Sequence, residues 1–279
     1  MPVEAAKAMP VEMDAPPAPA PAAAPACMEI RDLSFSYGSN RVLSEISFTV
    51  PTGGVTSILG SNGSGKSTLF YLMTKNLRPQ SGQILLDGRD IRNIRARDYA
   101  QQVSIVNQAN TINGDITVER IVGYGRTPFL TMIRRPGPED ERLVEWAMQI
   151  TDVRKYRDKP FSQLSGGQRQ RVWIAMALAQ NTRYLLLDEP TTYLDIRYQV
   201  EILRLIRRLN EEFGTTIVMV LHDMNQALHY SDHLLCLRDG HVIAQGCPHE
   251  ILSPELITRL YDVELRVLNS EHGRFVLQI

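Results

Sequence analysis

The chain has 279 residues, is 43% hydrophobic and 22% charged, and carries a formal net charge of -1. That length can bury a sizeable core in one large domain or two small ones, and the near-zero charge gives no basic field for nucleic acid or anionic lipid. No apolar run approaches the roughly 18 residues that cross a bilayer, and Cys27, Cys236 and Cys247 lack metal spacing and suit reduced thiols in a cytoplasm.

The first 27 residues differ from the rest. Ala15-Pro16-Pro17-Ala18-Pro19-Ala20-Pro21 continues into Ala22-Ala23-Ala24-Pro25. Proline removes donors and little here forms a core, so residues 1–27 are expected to be a disordered tail. The tail has no basic start and no long apolar region, so it is not a secretory signal. Residues 28–31 and 42–50 read as strands of a small antiparallel unit. Between them, Tyr37 is either a stacking platform for a purine base or a half-buried strand residue.

Val55-Thr56-Ser57-Ile58-Leu59 reads as a buried strand, and residues 69–75 read as a helix. Between them stands Gly60-Ser61-Asn62-Gly63-Ser64-Gly65-Lys66-Ser67-Thr68, with the G-x-x-x-x-G-K-S spacing of a P-loop. Glycines there permit backbone angles barred to other residues. Their amides and the helix N-terminus offer partial positive charge to phosphate oxygens. Lys66 can reach the β- and γ-phosphates, and the Ser67 hydroxyl can ligate Mg²⁺. A nucleoside triphosphate is the expected ligand.

Residues 83–86 form a further expected strand, turning at Asp87-Gly88. Residues 103–106 form another, ending at Asn107-Gln108, where α/β sheets bind ligands; an ordinary strand-end amide fits equally. Residues 109–163 carry helical patterns broken by Gly and Pro and read as an inserted helical arm. Leu164-Ser165-Gly166-Gly167-Gln168 then opens a helix, either as an anion-accepting N-terminus or as a simple Ser cap. Residues 184–190 are an apolar strand delivering Asp188 and Glu189 to its end. Desolvating charge is costly, so such a strand is not built for stability. In a P-loop protein the first acid supports Mg²⁺ and the second can act as a general base.

Residues 196–213 form an amphipathic helix with Ile196, Val200, Leu203, Ile206, Leu209 and Phe213 on one face. Arg204, Arg207 and Arg208 read as its wet face, and Gly214 ends it. Residues 216–221 are a buried strand ending at His222, a structural histidine or a member of the same sheet edge as Gln108 and Glu189. A hairpin turns at Asp239-Gly240, and a short appendage follows Pro248.

In order and spacing, Tyr37, the P-loop, Gln108, Leu164-Ser165-Gly166-Gly167-Gln168, Leu187-Asp188-Glu189, Leu194-Asp195 and His222 resemble the ATP-binding-cassette (ABC) ATPases from residue 28 to about 250. The resemblance implies an α/β P-loop cassette over 28–279. It would have a RecA-like, mostly parallel sheet core and a small antiparallel β unit. A helical subdomain would fill about 109–180, and a C-terminal appendage would begin at about 248. The resemblance also implies ATP with Mg²⁺. Tyr37 then stacks on adenine. Gly60, Ser61, Asn62, Gly63, Ser64, Gly65, Lys66, Ser67 and Thr68 hold phosphates. Ser67 and Gln108 address Mg²⁺ with Asp188 behind them. Glu189 polarises water, and His222 contacts the γ-phosphate. Two copies would face head to tail, with Ser165, Gly166, Gly167 and Gln168 of one closing over the other's nucleotide. Asp195 would lie in the loop between them.

A narrower resemblance rests on Thr191-Thr192-Tyr193-Leu194-Asp195, Leu221-His222-Asp223-Met224-Asn225-Gln226-Ala227, Tyr230-Ser231-Asp232-His233 and Gly123-Tyr124-Gly125-Arg126-Thr127-Pro128. These look like the cassettes of bacterial iron–siderophore importers, with haem and cobalamin importers as near relatives. The implied protein energises a transmembrane permease from the cytoplasmic face of the inner membrane. A substrate-binding protein would be an indirect partner, and nucleic acid would not be a partner. A soluble ABC ATPase, an exporter cassette and a non-hydrolysing ATP clamp are the alternatives; intact Glu189 and His222 oppose the last. Val122, Tyr124, Pro128 and Phe129 either form part of the permease-docking surface or pack the arm internally.

Overall fold

The computed structural model describes residues 27–110, 112, 114–131, 134–270 and 273–277. Apart from Cys27, the expected tail lies outside the described residues. Strands β1 (Met28–Tyr37) and β2 (Asn40–Val50) pair antiparallel, with Met28 opposite Val50. The chain then crosses into β3 (Val55–Gly60), the first strand of a second sheet. It returns through β4 (Ser81–Leu86) and β5 (Arg89–Asp90), completing a four-stranded sheet of order β2-β1-β4-β5.

The second sheet adds β6 (Val103–Val106), β7 (Tyr184–Asp188), β8 (Thr216–Val220), β9 (His233–Arg238) and β10 (His241–Gly246). Its order is β10-β9-β3-β8-β7-β6, parallel except at β10. Every residue of β3, β7 and β8 is buried, which is why these strands read as unbroken apolar runs. Side chains alternate between two cores. Leu59, Leu185, Leu187 and Met219 join the core beneath the helical arm, whereas Ile58, Leu186, Val218 and Val220 face the antiparallel sheet. Asp87 links the sheets, accepting from Tyr184 Oη (3.0 Å) and Arg183 (3.0 Å). Burial pushes the Cys236 thiol up to about 12, so it stays protonated and inert.

Nine α-helices are described: α1 (Lys66–Met73), α2 (Ala96–Ala100), α3 (Val118–Gly123), α4 (Pro138–Ile150), α5 (Gly166–Ala179), α6 (Ile196–Phe213), α7 (Met224–Tyr230), α8 (Pro248–Ile251) and α9 (Pro254–Tyr261). A hairpin of β11 (Arg266–Ser270) and β12 (Gly273–Leu277) follows. Helix α6 begins and ends where the sequence predicts, with Asp195 as its N-cap and Gly214 at φ 64 closing it. Its apolar face needs correcting. Leu203, Ile206 and Leu209 are buried, but Ile196 is 79% exposed because it sits in the first turn, ahead of the packed stripe. Arg207 is also not simply wet: it binds Asp232 (2.8 Å), whose other oxygen accepts from the Val55 amide (2.8 Å).

The arm packs α3, α4 and α5 against the sheet, with Trp146 edge-on to Phe213 of α6 (5.2 Å between ring centres). A Cβ at Gly125 would lie 2.1 Å from the Met176 carbonyl, so only glycine allows this approach to α5. Beside it, Arg126 is 5% exposed and Asp140 2%. The guanidinium donates to Asp140 Oδ1 (2.8 Å) and to the carbonyls of Ala179 (2.9 Å) and Gln180 (3.1 Å). Burial opposes the Asp140 charge, but the Arg126 and Gly137 hydrogen bonds outweigh it and hold the carboxyl below its ordinary range. Removing one member of such a pair strands the other. Arg126→Ala is expected to cost about 3–5 kcal/mol in urea unfolding, and Arg126→Met/Asp140→Leu distinctly less; a cost near zero for the single change contradicts this anchoring.

Candidate nucleotide and hydrolysis site

The P-loop bends from β3 into α1 through Gly63 (φ 82) and Gly65 (φ 103), angles that an L side chain resists. At Gly65 a Cβ would also meet Leu43 Cδ2 at 2.5 Å. Lys66, 5% exposed, folds back and donates to the carbonyls of Gly60 (2.8 Å) and Ser61 (2.9 Å). Burial lowers its pKa, while the charges of Glu189 and Asp188 pull it back up. Ser64 Oγ is buried without a partner, and Ser67 is exposed in the first turn of α1. Tyr37 ends β1 with 49% of its surface exposed and its ring edge-on to Phe35 (4.9 Å). It is therefore not a core ring, and its exposure leaves room for a base.

Gln108 follows β6, Glu189 follows β7, and His222 lies just past β8. The parallel register brings them together. Glu189 Oε1 lies 2.5 Å from His222 Nε2, and Glu189 Oε2 accepts from Gln108 Nε2 (2.5 Å) and Thr192 Oγ1 (3.0 Å). The structure thus places His222 with the sheet-edge group. Thr192 was not singled out for this role. Its position three residues after the acid, where a turn returns its amide to the Glu189 carbonyl (3.2 Å), was the available signal.

Asp188 is 2% exposed, and neither carboxylate oxygen has a hydrogen-bond partner among the described residues. Burial first, and Glu189 second, push its carboxyl up to about 6, against the opposing pull of His222 and Lys66. A buried carboxylate with free lone pairs, next in sequence to the Glu189 that Gln108 reaches, in a chain whose Ser67 hydroxyl is exposed, offers hard oxygen donors of the kind that suit Mg²⁺. One carboxylate with substrate phosphates suffices for this ion, and no cluster of three or more His, Cys, Asp and Glu occurs among the described residues.

The Leu164–Gln168 element lies elsewhere. Ser165 caps α5 in a reciprocal box: its Oγ accepts from the Gln168 amide (3.4 Å), and its own amide donates to Gln168 Oε1 (3.0 Å). Gln168 Nε2 reaches Tyr156 Oη (3.0 Å), and Gly167 lies under the Tyr198 ring, where a Cβ would come within 2.4 Å. Asp195 Oδ1 accepts from the Tyr198 amide (3.0 Å). Among the described contacts, none joins Ser165–Gln168 to this chain's own P-loop.

Residues 43–192 match the sequence model of the ABC transporter family. The chain belongs to that family. It is 43% identical over 237 residues to the ferric enterobactin transport ATP-binding protein FepC of Escherichia coli, covering 85% of this chain and 88% of that one. It is 39% identical over 241 residues to the iron(3+)-hydroxamate import ATP-binding protein FhuC of Bacillus subtilis, covering 86% and 90%. Among solved structures, cbiO1 of Clostridium perfringens superposes with a TM-score of 0.74 at 33% identity, covering 83% of this chain and 92% of that one. The dimeric bacterial ABC transporter cassette MJ0796 superposes at 0.69 with 27% identity, covering 79% and 98%. The cassette is thus an ATP-binding, ATP-hydrolysing P-loop protein.

The Asp188 carboxylate sets a pH test on the ligand-free cassette. Its folded-state value of about 6 exceeds the ordinary 3.8, so the unfolded chain loses this proton first as pH rises. The group costs nothing below about pH 4, and its cost grows to about 3 kcal/mol above pH 6. Asp188→Asn is therefore expected to raise the melting temperature at pH 7.5 but not at pH 4. An equal effect at both pH values rules out the charge as the cause.

Proposed function

We propose that this cassette is the ATP-hydrolysing subunit of an importer for an iron–siderophore complex, acting as a head-to-tail homodimer on the cytoplasmic side of a transmembrane permease. The observation that carries the hydrolytic part is the Glu189 carboxylate held between His222 and Gln108 at the ends of adjacent strands. Tyr37 stacks on the adenine, and residues 60–68 wrap the phosphates. Lys66 exchanges the Gly60 and Ser61 carbonyls for β- and γ-phosphate oxygens. Ser67 and Gln108 would hold Mg²⁺, with Asp188 behind them, and there the ion would supply charge neutralisation for the phosphates. Glu189 takes the proton of the attacking water, and His222 holds the γ-phosphate.

The placement of the signature supports a second copy. Ser165, Gly166, Gly167 and Gln168 stand apart from their own P-loop, so they serve a nucleotide held by a partner cassette, with Asp195 in the loop between the two. The solved relative MJ0796 is dimeric, which supports this reading. Residues 1–27 are proposed as a tail outside the cassette, 109–180 as the helical subdomain and 248–279 as the appendage. The names of the FepC and FhuC relatives support iron–siderophore cargo. In cells lacking this gene, complementation is expected to restore iron–siderophore uptake but not haem or cobalamin uptake; the reverse pattern reassigns the cargo.

Glu189→Gln keeps the shape and removes the proton acceptor. Hydrolysis is expected to fall by ~10²–10⁴ while ATP binding persists and an ATP-bound dimer accumulates on gel filtration. Near-normal turnover contradicts the role given to Glu189.

The docking surface is narrower than the apolar group read from the sequence. Val122 is fully buried, so it packs the arm internally. Phe129 lies under the Arg126 guanidinium (4.1 Å), and the Pro128 carbonyl accepts from Arg97 (2.8 Å). Tyr124 is 41% exposed and is the side chain best placed to meet the permease. Tyr124→Glu is expected to leave the melting temperature and ATP binding unchanged while reducing permease co-purification and uptake. Unchanged uptake excludes Tyr124 from the interface.

A further inference from the structure

The loop from Glu189 to Asp195 is held against its own backbone preference. Glu189 (φ 49) and Tyr193 (φ 62) both occupy the left-handed region without being glycine. Such residues persist only where the surroundings over-determine them. Besides the bonds that the loop makes within itself, restraint comes from a side chain of α7. Gln226 Oε1 accepts from Thr191 Oγ1 (3.0 Å), near the start of the loop. Gln226 Nε2 donates to Gln199 Oε1 (2.9 Å), and Gln199 Nε2 donates to the Leu194 carbonyl (3.0 Å) near the end of the loop. The Gln226 amide N–H donates to Asp223 Oδ1 (2.9 Å), the N-cap directly after His222.

We propose that Gln226 is a positioning residue for hydrolysis, locking the loop that carries Glu189 and Asp195 to the helix that begins after His222. This rests on the hydrolytic roles proposed above. The Glu189–His222 separation and the placement of the Asp195 loop then change together, because the Gln226 and Gln199 amides in series join both ends of the loop. Apolar packing alone does not supply this. Met224, Ala227 and Leu228 bury α7 in the core but do not orient a polar loop. The hydrogen-bond direction matters. An amide accepts from Thr191 and donates to Gln199 at once, which a carboxylate cannot do. The neighbouring Asn225 turns its amide the other way, pairing with both Val276 O (3.0 Å) and Val276 N (2.8 Å) on β12. It supplies a control on the same helix.

The test measures steady-state ATP hydrolysis by the full chain in Gln226→Leu, Gln226→Glu, Thr191→Val and Asn225→Leu, with Glu189→Gln alongside. Gln226→Leu is expected to lower kcat roughly 10- to 100-fold, as a small misplacement of reacting groups does. KM for ATP should stay within about twofold, since nucleotide contacts are untouched. Gln226→Glu should fall between, and Thr191→Val combined with Gln226→Leu should be no worse than Gln226→Leu alone. Asn225→Leu should lower the melting temperature without lowering kcat. If Gln226→Leu does not fold, Gln199→Met and Thr191→Val are judged by the same split between kcat and KM. A folded Gln226→Leu with normal kcat overturns the proposal, as does an equal kcat loss in Asn225→Leu. If Glu189→Gln is itself active, the underlying hydrolytic reading fails instead.

Discussion

Two adjacent carboxylates at the end of a fully buried strand are the constraint around which this cassette is arranged. Asp188 has no hydrogen-bond donor among the described residues, and Glu189 adds like charge beside it. A fold gains nothing from such a pair on its own. Every cationic or donor group nearby answers it. The two carboxylate charges raise the Lys66 pKa against its burial in the P-loop, and His222 and Gln108 reach Glu189 from the flanking strands. A divalent cation held there, as proposed above, would supply the positive charge that this pair leaves unmatched.

The helical arm depends on a different kind of buried charge. Arg126 and Asp140 satisfy each other and also take up the carbonyls at the end of α5 and the Gly137 amide at the start of α4. That pair fixes the carboxyl end of the helix whose other end carries Ser165. In the proposed head-to-tail dimer, rigid seating of α5 holds the signature toward the partner cassette. Closure between two cassettes then becomes a movement of whole packed units, the form that switching takes in close-packed proteins.

Much of this was legible locally. The P-loop, the double-acid strand, the α6 caps and the Asp239-Gly240 hairpin are short-range patterns, and the structure has each of them where the residues place it. The misreadings involved long-range partners. Ile196 fits the helical period, yet lies ahead of the packed turns. Arg207 looks solvated on its own helix, but Asp232 approaches from a different part of the chain. Of the two readings open for Val122, internal packing holds, because it is fully buried in the core beneath the arm.

Local sequence specified which chemistry the chain can perform, because phosphate binding and water activation need particular residue types at fixed local spacing. It also determined the alternation of strands and helices, since burial on both faces writes itself into apolar runs. Only the tertiary structure decided that Gln108, Glu189 and His222 meet, and that Gln226 and Gln199 brace the loop beside them. These contacts span tens of residues, and their partners are chosen by strand order and helix packing, which no local pattern encodes.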